Sequence, residues 1–182
     1  DDVRAELSSV IIDEDESAFS LRRFLINNND MDEDIYRTYV RTLPKQFKQF
    51  PEDIDPGKLL ILVEEEKITF SESAFSRLGD YVDYQVLFIA KNIDSYFENK
   101  DQFALDDDFR EKLLNSHITD DQKLKIVDDM DLASIAGLPS RASTIGELFH
   151  RTRADISHLS EEAAQAVIIN TKPIAVQVAL LN

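Results

Sequence analysis

Cysteine is absent from all 182 residues, which excludes disulfides, thiolate metal sites and cysteine nucleophiles. Glycine and proline are scarce, at four and five. A phosphate-binding loop needs clustered glycines so that backbone amides can approach the anion. Neither G-x-x-x-x-G-K-[ST] nor G-x-G-x-x-G occurs, so this stretch is not expected to hydrolyse nucleotides by itself. No Asn-Gly or Asp-Gly pair marks a tight hairpin, and few segments alternate over strand length, which argues against an extensive β-sheet. No apolar run approaches the roughly 20 residues of a membrane span. The start, Asp1-Asp2-Val3-Arg4, has neither the basic head nor the apolar stretch of a signal peptide. The expectation is a cytoplasmic protein without a membrane partner. The missing initiator Met suggests a processed chain or an excised domain of a larger polypeptide.

Positive charge is also the minority. Twenty basic residues face 36 acidic ones, a formal net charge of -16. That field repels a phosphate backbone at long range, so direct nucleic-acid binding is not expected. One local exception is the set Arg37, Arg41, Lys45 and Lys48, with Arg22 and Arg23 upstream. At helical spacing these form either a solvated face or a docking patch for an acidic partner. Pro44 interrupts any helix that carries them.

What the chain has in quantity is helical patterning, and with 43% hydrophobic residues it can bury a core unaided. Phe19, Leu21, Phe24 and Leu25 fall near one face. Ile35, Tyr36, Tyr39, Val40 and Leu43 form a second stripe, and the two predict a hairpin. Lys45 to Pro56 reads as an irregular connection anchored by Phe47 and Phe50. Asp55-Pro56 is a strong helix start, because Asp caps and Pro is preset for the first helical position. Glu64-Glu65-Glu66-Lys67 should close that helix with a fraying last turn, since acids at a helix C-terminus oppose its dipole. Thr69 with Glu72, and Thr119 with Gln122, each fit a capping box. Tyr81 to Phe103 predicts a long apolar helix or two shorter ones at the centre of the core. Asp106-Asp107-Asp108 suits an N-terminal turn. Gly137-Leu138-Pro139-Ser140 is the clearest break, with Ser143 or Thr144 starting a short helix through Phe149. Ser160 caps another that Thr171-Lys172-Pro173 stops, and Ile174 to Leu181 is read as a terminal apolar helix.

A phrase recurs through this pattern: an apolar helix end, a polar turn, an Ile, Met or Leu, then a capping residue. It centres on Met31, Ile68, Ile118 and Leu159, at intervals of 37, 50 and 41 residues. Uneven intervals exclude a regular array. The fold class read from the sequence is all-α, with irregular helical hairpins stacked as a short αα-solenoid or superhelical bundle. It is taken as one helical domain over 1–182, with a sub-boundary near 137–143.

Chemistry is harder to find. His117, His150 and His158 lack metal-ligand spacing such as H-E-x-x-H. Asn28, Asp30 and Asp32 match the first ligands of a calcium loop, but Glu33 stands where Gly is required and Tyr39 where the bidentate Glu belongs. The series from Asp13 fails at the same two places. Asp155-Ile156-Ser157-His158 holds triad residue types in a local order that no triad uses. No catalytic, cofactor-binding or metal-ligating residue is assigned.

The phrases Leu113-Leu114-Asn115-Ser116-His117-Ile118-Thr119-Asp120-Asp121-Gln122-Lys123, Lys67-Ile68-Thr69-Phe70 and Leu87-Phe88-Ile89-Ala90-Lys91-Asn92 resemble the helical C-terminal regions of large bacterial YobI-like P-loop NTPases, over about residues 55–130. The resemblance implies a sensor or scaffold region appended to a nucleotide-hydrolysing domain elsewhere in the polypeptide. The family's nucleotide-binding motif has no counterpart here, and no functional residue carries over. Three readings stay open: a non-catalytic helical-repeat module that binds a protein or peptide, an acidic inhibitor or nucleic-acid mimic, and an enzyme with a dispersed carboxylate site.

Overall fold

A computed structural model describes residues 30–43, 47 and 54–171. Among these, ten α-helices and two 3-10 turns occur with no β-strand, so the chain is all-α as its patterning predicts. The residues group into two compact units divided between Lys91 and Asn92. The Gly137 break lies inside the second.

In the first unit, α1 (Glu33–Thr42) begins where the Oδ1 of Asp32 accepts from the Asp34 N–H, and Tyr36 and Val40, four residues apart, form its buried face. α2 (Pro56–Glu64) starts as expected, with Asp55 accepting from the Lys58 N–H and Pro56 in the first turn. It buries Leu59, Ile61, Leu62 and Val63. α3 (Glu72–Arg77) is capped by Ser71, not by Thr69. The reason is a parallel bridge between Phe47 and Ile68, in which the Thr69 N–H donates to the Phe47 carbonyl at 2.7 Å and holds Thr69 ahead of the helix. α4 (Val82–Lys91) buries Phe88 and Ile89, and its buried Gln85 donates to the Phe75 carbonyl at 3.0 Å. Tyr36, Val40, Phe47, Leu62, Ile68, Leu78 and Phe88 belong to one apolar cluster.

The second unit holds α5 (Ile93–Asn99), α6 (Asp107–Leu114), α7 (Asp120–Asp128), α8 (Leu132–Gly137), α9 (Pro139–Thr152) and α10 (Glu161–Asn170). The apolar run from Tyr81 to Phe103 is thus two helices, α4 and α5, with a break at Asn92. Thr119 and Gln122 complete the expected capping box of α7. Asp106 caps α6 and Ser160 caps α10. α9 starts at Pro139 instead of Ser143 or Thr144 and runs through Thr152, because proline preset at the first helical position suffices without a side-chain cap. α9 packs on α10 and α7, and α8 packs on α10. Ile135, Ile145, Leu148, Phe149 and Val167 are among the buried core.

Two helices stop without glycine. Glu66 and Arg153 take left-handed backbone, with φ of 54° and 57°. Around each, one N–H reaches back five residues and the one before it reaches back three: Lys67 to the Leu62 carbonyl with Glu66 to Val63, and Ala154 to Phe149 with Arg153 to His150. This is the paired bond pattern that usually recruits glycine at a helix end. The predicted helix within 17–27, its hairpin with α1, Phe50 and the segment Ile174 to Leu181 lie outside the described residues.

Candidate functional site

The arginine stripe resolves into a network within the first unit. Arg37 and Arg41 lie one turn apart on α1 and face the C-terminal end of α2. Arg37 Nη1 stands 2.6 Å from Glu64 Oε2 and 3.1 Å from Glu65 Oε1. Arg41 is bidentate, its Nη2 at 2.9 Å from Glu65 Oε1 and its Nε at 3.0 Å from Oε2. Two acids at a helix C-terminus meet an unfavourable dipole, and these guanidinium groups offset it. The hydrogen bonds from Arg41, and after partial burial that from Arg37, hold the Glu65 carboxyl below its usual range. The hydrogen bonds that Arg37 donates to Glu64 and Glu65 raise it in turn. Lys45, Lys48, Arg22 and Arg23 lie outside the described residues.

The second unit carries a larger charged network that no local motif announces. Arg141, on α9, is buried, and its Nη2 and Nε reach Asp108 Oδ1 at 2.6 Å and Glu111 Oε2 at 3.1 Å. Its Nη1 donates to the Ser134 hydroxyl and, at 3.3 Å, to the Ser134 carbonyl. Asp107 pairs with Arg110 at 2.8 Å and accepts from the Asp131 N–H at 3.1 Å. Partial burial works to raise its carboxyl, but Arg110, Ser134 and the Asp131 N–H outweigh that and lower it. Lys100 meets Asp129 at 2.5 Å, and Arg151 holds Asp120 through Nε at 2.8 Å and Nη2 at 2.6 Å. The acidic run 106–108 therefore does more than start α6: it supplies anchors for Arg110 and Arg141.

Apolar side chains stand on the surface of both units. In the first, Ile35, Tyr81 and Val82 are exposed, as are Leu132 and Leu138 in the second. Tyr81 and Tyr84 stack with ring centroids 5.0 Å apart and planes 17° from parallel. Burial raises the Tyr84 hydroxyl, followed by the charges of Tyr81, Asp55, Glu33 and Glu64. The Glu33 side chain, from the start of α1, and Asp55 both lie at the start of α2, where a Cβ added at Gly57 would stand 3.1 Å from Glu33 Cδ and 3.2 Å from Asp55 Oδ1. Nothing in the sequence singled out this pair except two tyrosines at helical spacing. His117 and His150 are exposed and belong to no metal-holding group among the described residues. Of the calcium-like series, Asp32 serves as the α1 cap.

No family model matches the chain. No curated protein and no solved structure matches it either. The resemblance to the YobI-like NTPases rests on its three phrases alone.

Proposed function

We propose that this chain is a non-catalytic helical interaction or scaffold module that binds a protein or peptide partner, with its hairpins stacked as a short αα-solenoid or superhelical bundle. The observation that supports it is the set of large apolar side chains held at the surface, with Ile35 52% exposed and Tyr81, Val82, Leu132 and Leu138 also outside the core. Exposed apolar side chains next to one another, as Tyr81 and Val82 are, mark surfaces that favour association. Helical-hairpin architectures present such surfaces for partner recognition, and the resemblance to appended NTPase regions points the same way. The remainder of a larger bacterial polypeptide is one source of that partner. The inhibitor or mimic reading is less favoured. It needs unpaired carboxylates in ranks, whereas Glu64, Glu65, Asp107, Asp108, Glu111, Asp120 and Asp129 are engaged with cations of the same unit.

Site-specific photo-crosslinking in cells that express the protein tests this reading. A crosslinker at Ile35, Leu132 or Leu138 should give a discrete protein adduct that the same crosslinker at exposed Lys112 does not. Adducts no different from the Lys112 control at all three positions would overturn it.

A further inference from the structure

The partner's chemistry can be narrowed, and doing so rests on the interaction-module reading. Tyr81, just ahead of α4, is 37% exposed and Val82, its first residue, 41%, so the start of that helix presents aromatic and apolar surface together. The near-parallel stack of Tyr81 on Tyr84 sets the two rings face to face, so a cation meets the stack on its outer side. Aromatic faces carry negative electrostatic potential and attract ammonium and guanidinium groups. The fold already uses this contact internally, with Lys58 Nζ 5.8 Å from the Tyr36 ring centre and Lys125 Nζ 5.2 Å from that of Phe97.

The charges of Asp55, Glu33 and Glu64 are among those that act on the Tyr84 hydroxyl. Glu64 is committed to Arg37 and Asp55 caps α2, while Glu33 is an exposed residue at the start of α1. An acidic peptide would meet the Glu33 carboxylate and the net charge of -16, and a purely apolar one would use neither. We propose that the Tyr81–Tyr84 stack, with Glu33 beside it, is the docking surface for a lysine- or arginine-bearing segment of a protein partner. The rings take the cation's face and stem, and the carboxylate takes its charge.

Fluorescence anisotropy on the full chain tests this with three labelled decapeptides: alternating lysine and glycine, the same with glutamate for lysine, and the same with norleucine. The lysine peptide should bind and the other two should not. Net charge alone would also attract lysine, so the deciding variant is the double substitution Tyr81→Leu/Tyr84→Leu, which keeps charge and apolar bulk but removes the rings. It should bind the lysine peptide about tenfold more weakly, while Tyr81→Phe/Tyr84→Phe retains binding and Glu33→Gln weakens it. Far-UV circular dichroism confirms that each variant keeps its helices, and Glu33→Gln, on an exposed side chain, serves if the leucine variant does not. Equal binding to wild type and the leucine variant, or to lysine and norleucine peptides, would overturn the proposal. Crosslinks at Leu132 or Leu138 in that case would leave the interaction module standing and remove only this surface.

Discussion

Arg141 Nη2 donates to Asp108 Oδ1 across 2.6 Å although the arginine side chain is 2% exposed and the aspartate side chain 81%. The pair joins a group sealed inside the second unit to one that water still reaches. The two halves are therefore unequal. Asp108, left alone, is hydrated, but the guanidinium, left alone, is not. Replacing both acids with isosteric amides (Asp108→Asn/Glu111→Gln) should cost roughly 3–5 kcal/mol, the penalty of a buried charge stripped of its counterions. Arg141→Met should cost less, because the carboxylates it abandons are reached by solvent and its methylenes fill part of the space. Urea denaturation followed by helical circular dichroism, suited to a chain without tryptophan, ranks the two. An arginine variant less stable than the double amide would refute the asymmetry.

Gly146 sits where α9 meets the end of α10. A Cβ placed on it would overlap Thr171 Oγ1 and stand 3.0 Å from Thr171 Cβ and Val167 Cγ1. Thr171 is fully buried and its hydroxyl is committed to the Val167 carbonyl, so it has little freedom to retreat. Alanine in mid-helix would ordinarily gain about 1 kcal/mol over glycine. Here overpacking of about 1–3 kcal/mol works against it, and Gly146→Ala should be net destabilising. Gly137, at the end of α8, has nothing within 4 Å of its would-be Cβ. Gly137→Ala should instead stabilise by about 0.4–1 kcal/mol, chiefly through the unfolded chain. Melting curves of the two variants should move in opposite directions.

Tyr36 is fully buried in the first unit's core, and its hydroxyl has no hydrogen-bond partner among the described residues. Such a hydroxyl pays its desolvation without return, a cost of about 1–3 kcal/mol. Tyr36→Phe should therefore leave stability at neutral pH unchanged or raise it, since the ring and the Lys58 contact over it are retained. Burial also pushes the Tyr36 phenol up, so the fold holds it neutral. A group raised in the fold contributes stability that is complete below its unfolded value, near 10, and is lost as pH rises past it. The variant should resist alkaline unfolding better than wild type. A loss above 1 kcal/mol at neutral pH would show that the hydroxyl is satisfied after all.

The helix starts that were legible in the sequence were the ones decided within four residues. Asp55-Pro56, Asp106, Thr119 with Gln122, and Ser160 all cap as their local chemistry dictates. Thr69 fails for a reason no local window contains, its amide being claimed by Phe47 some twenty residues away. The stop signals were hidden for the opposite reason: a glycine-poor chain places Glu66 and Arg153 in the left-handed region. Among candidate sites, the stripe Arg37 and Arg41 was visible, but its counterions 24 and 28 residues on were not. Arg141 finds its acids 30 and 33 positions back, a separation that periodicity does not encode.

The Arg41–Glu65 pair makes the stability of the first unit sensitive to acid. Glu65 lies below its ordinary 4.5 because the Arg41 hydrogen bond, and after it that of Arg37, outweighs the partial burial that would raise it. A carboxyl depressed in the fold contributes stability that is complete above its unfolded value and disappears as pH falls through the folded one. Asp107 and Asp120 are lowered too, so wild type should weaken progressively below about pH 4.5. Glu65→Gln removes one of these titrations while keeping a hydrogen-bond acceptor for the guanidinium. The stability gap between wild type and Glu65→Gln should be widest at neutral pH, begin to close as pH drops past 4.5, and be smallest once Glu65 is protonated in the fold. Urea titrations of both proteins at a series of pH values measure that gap directly. A gap independent of pH would mean that the Glu65 ion pairs do not contribute to folding, and that α1 is held to α2 by Arg37–Glu64 and the apolar cluster around Tyr36 and Val40.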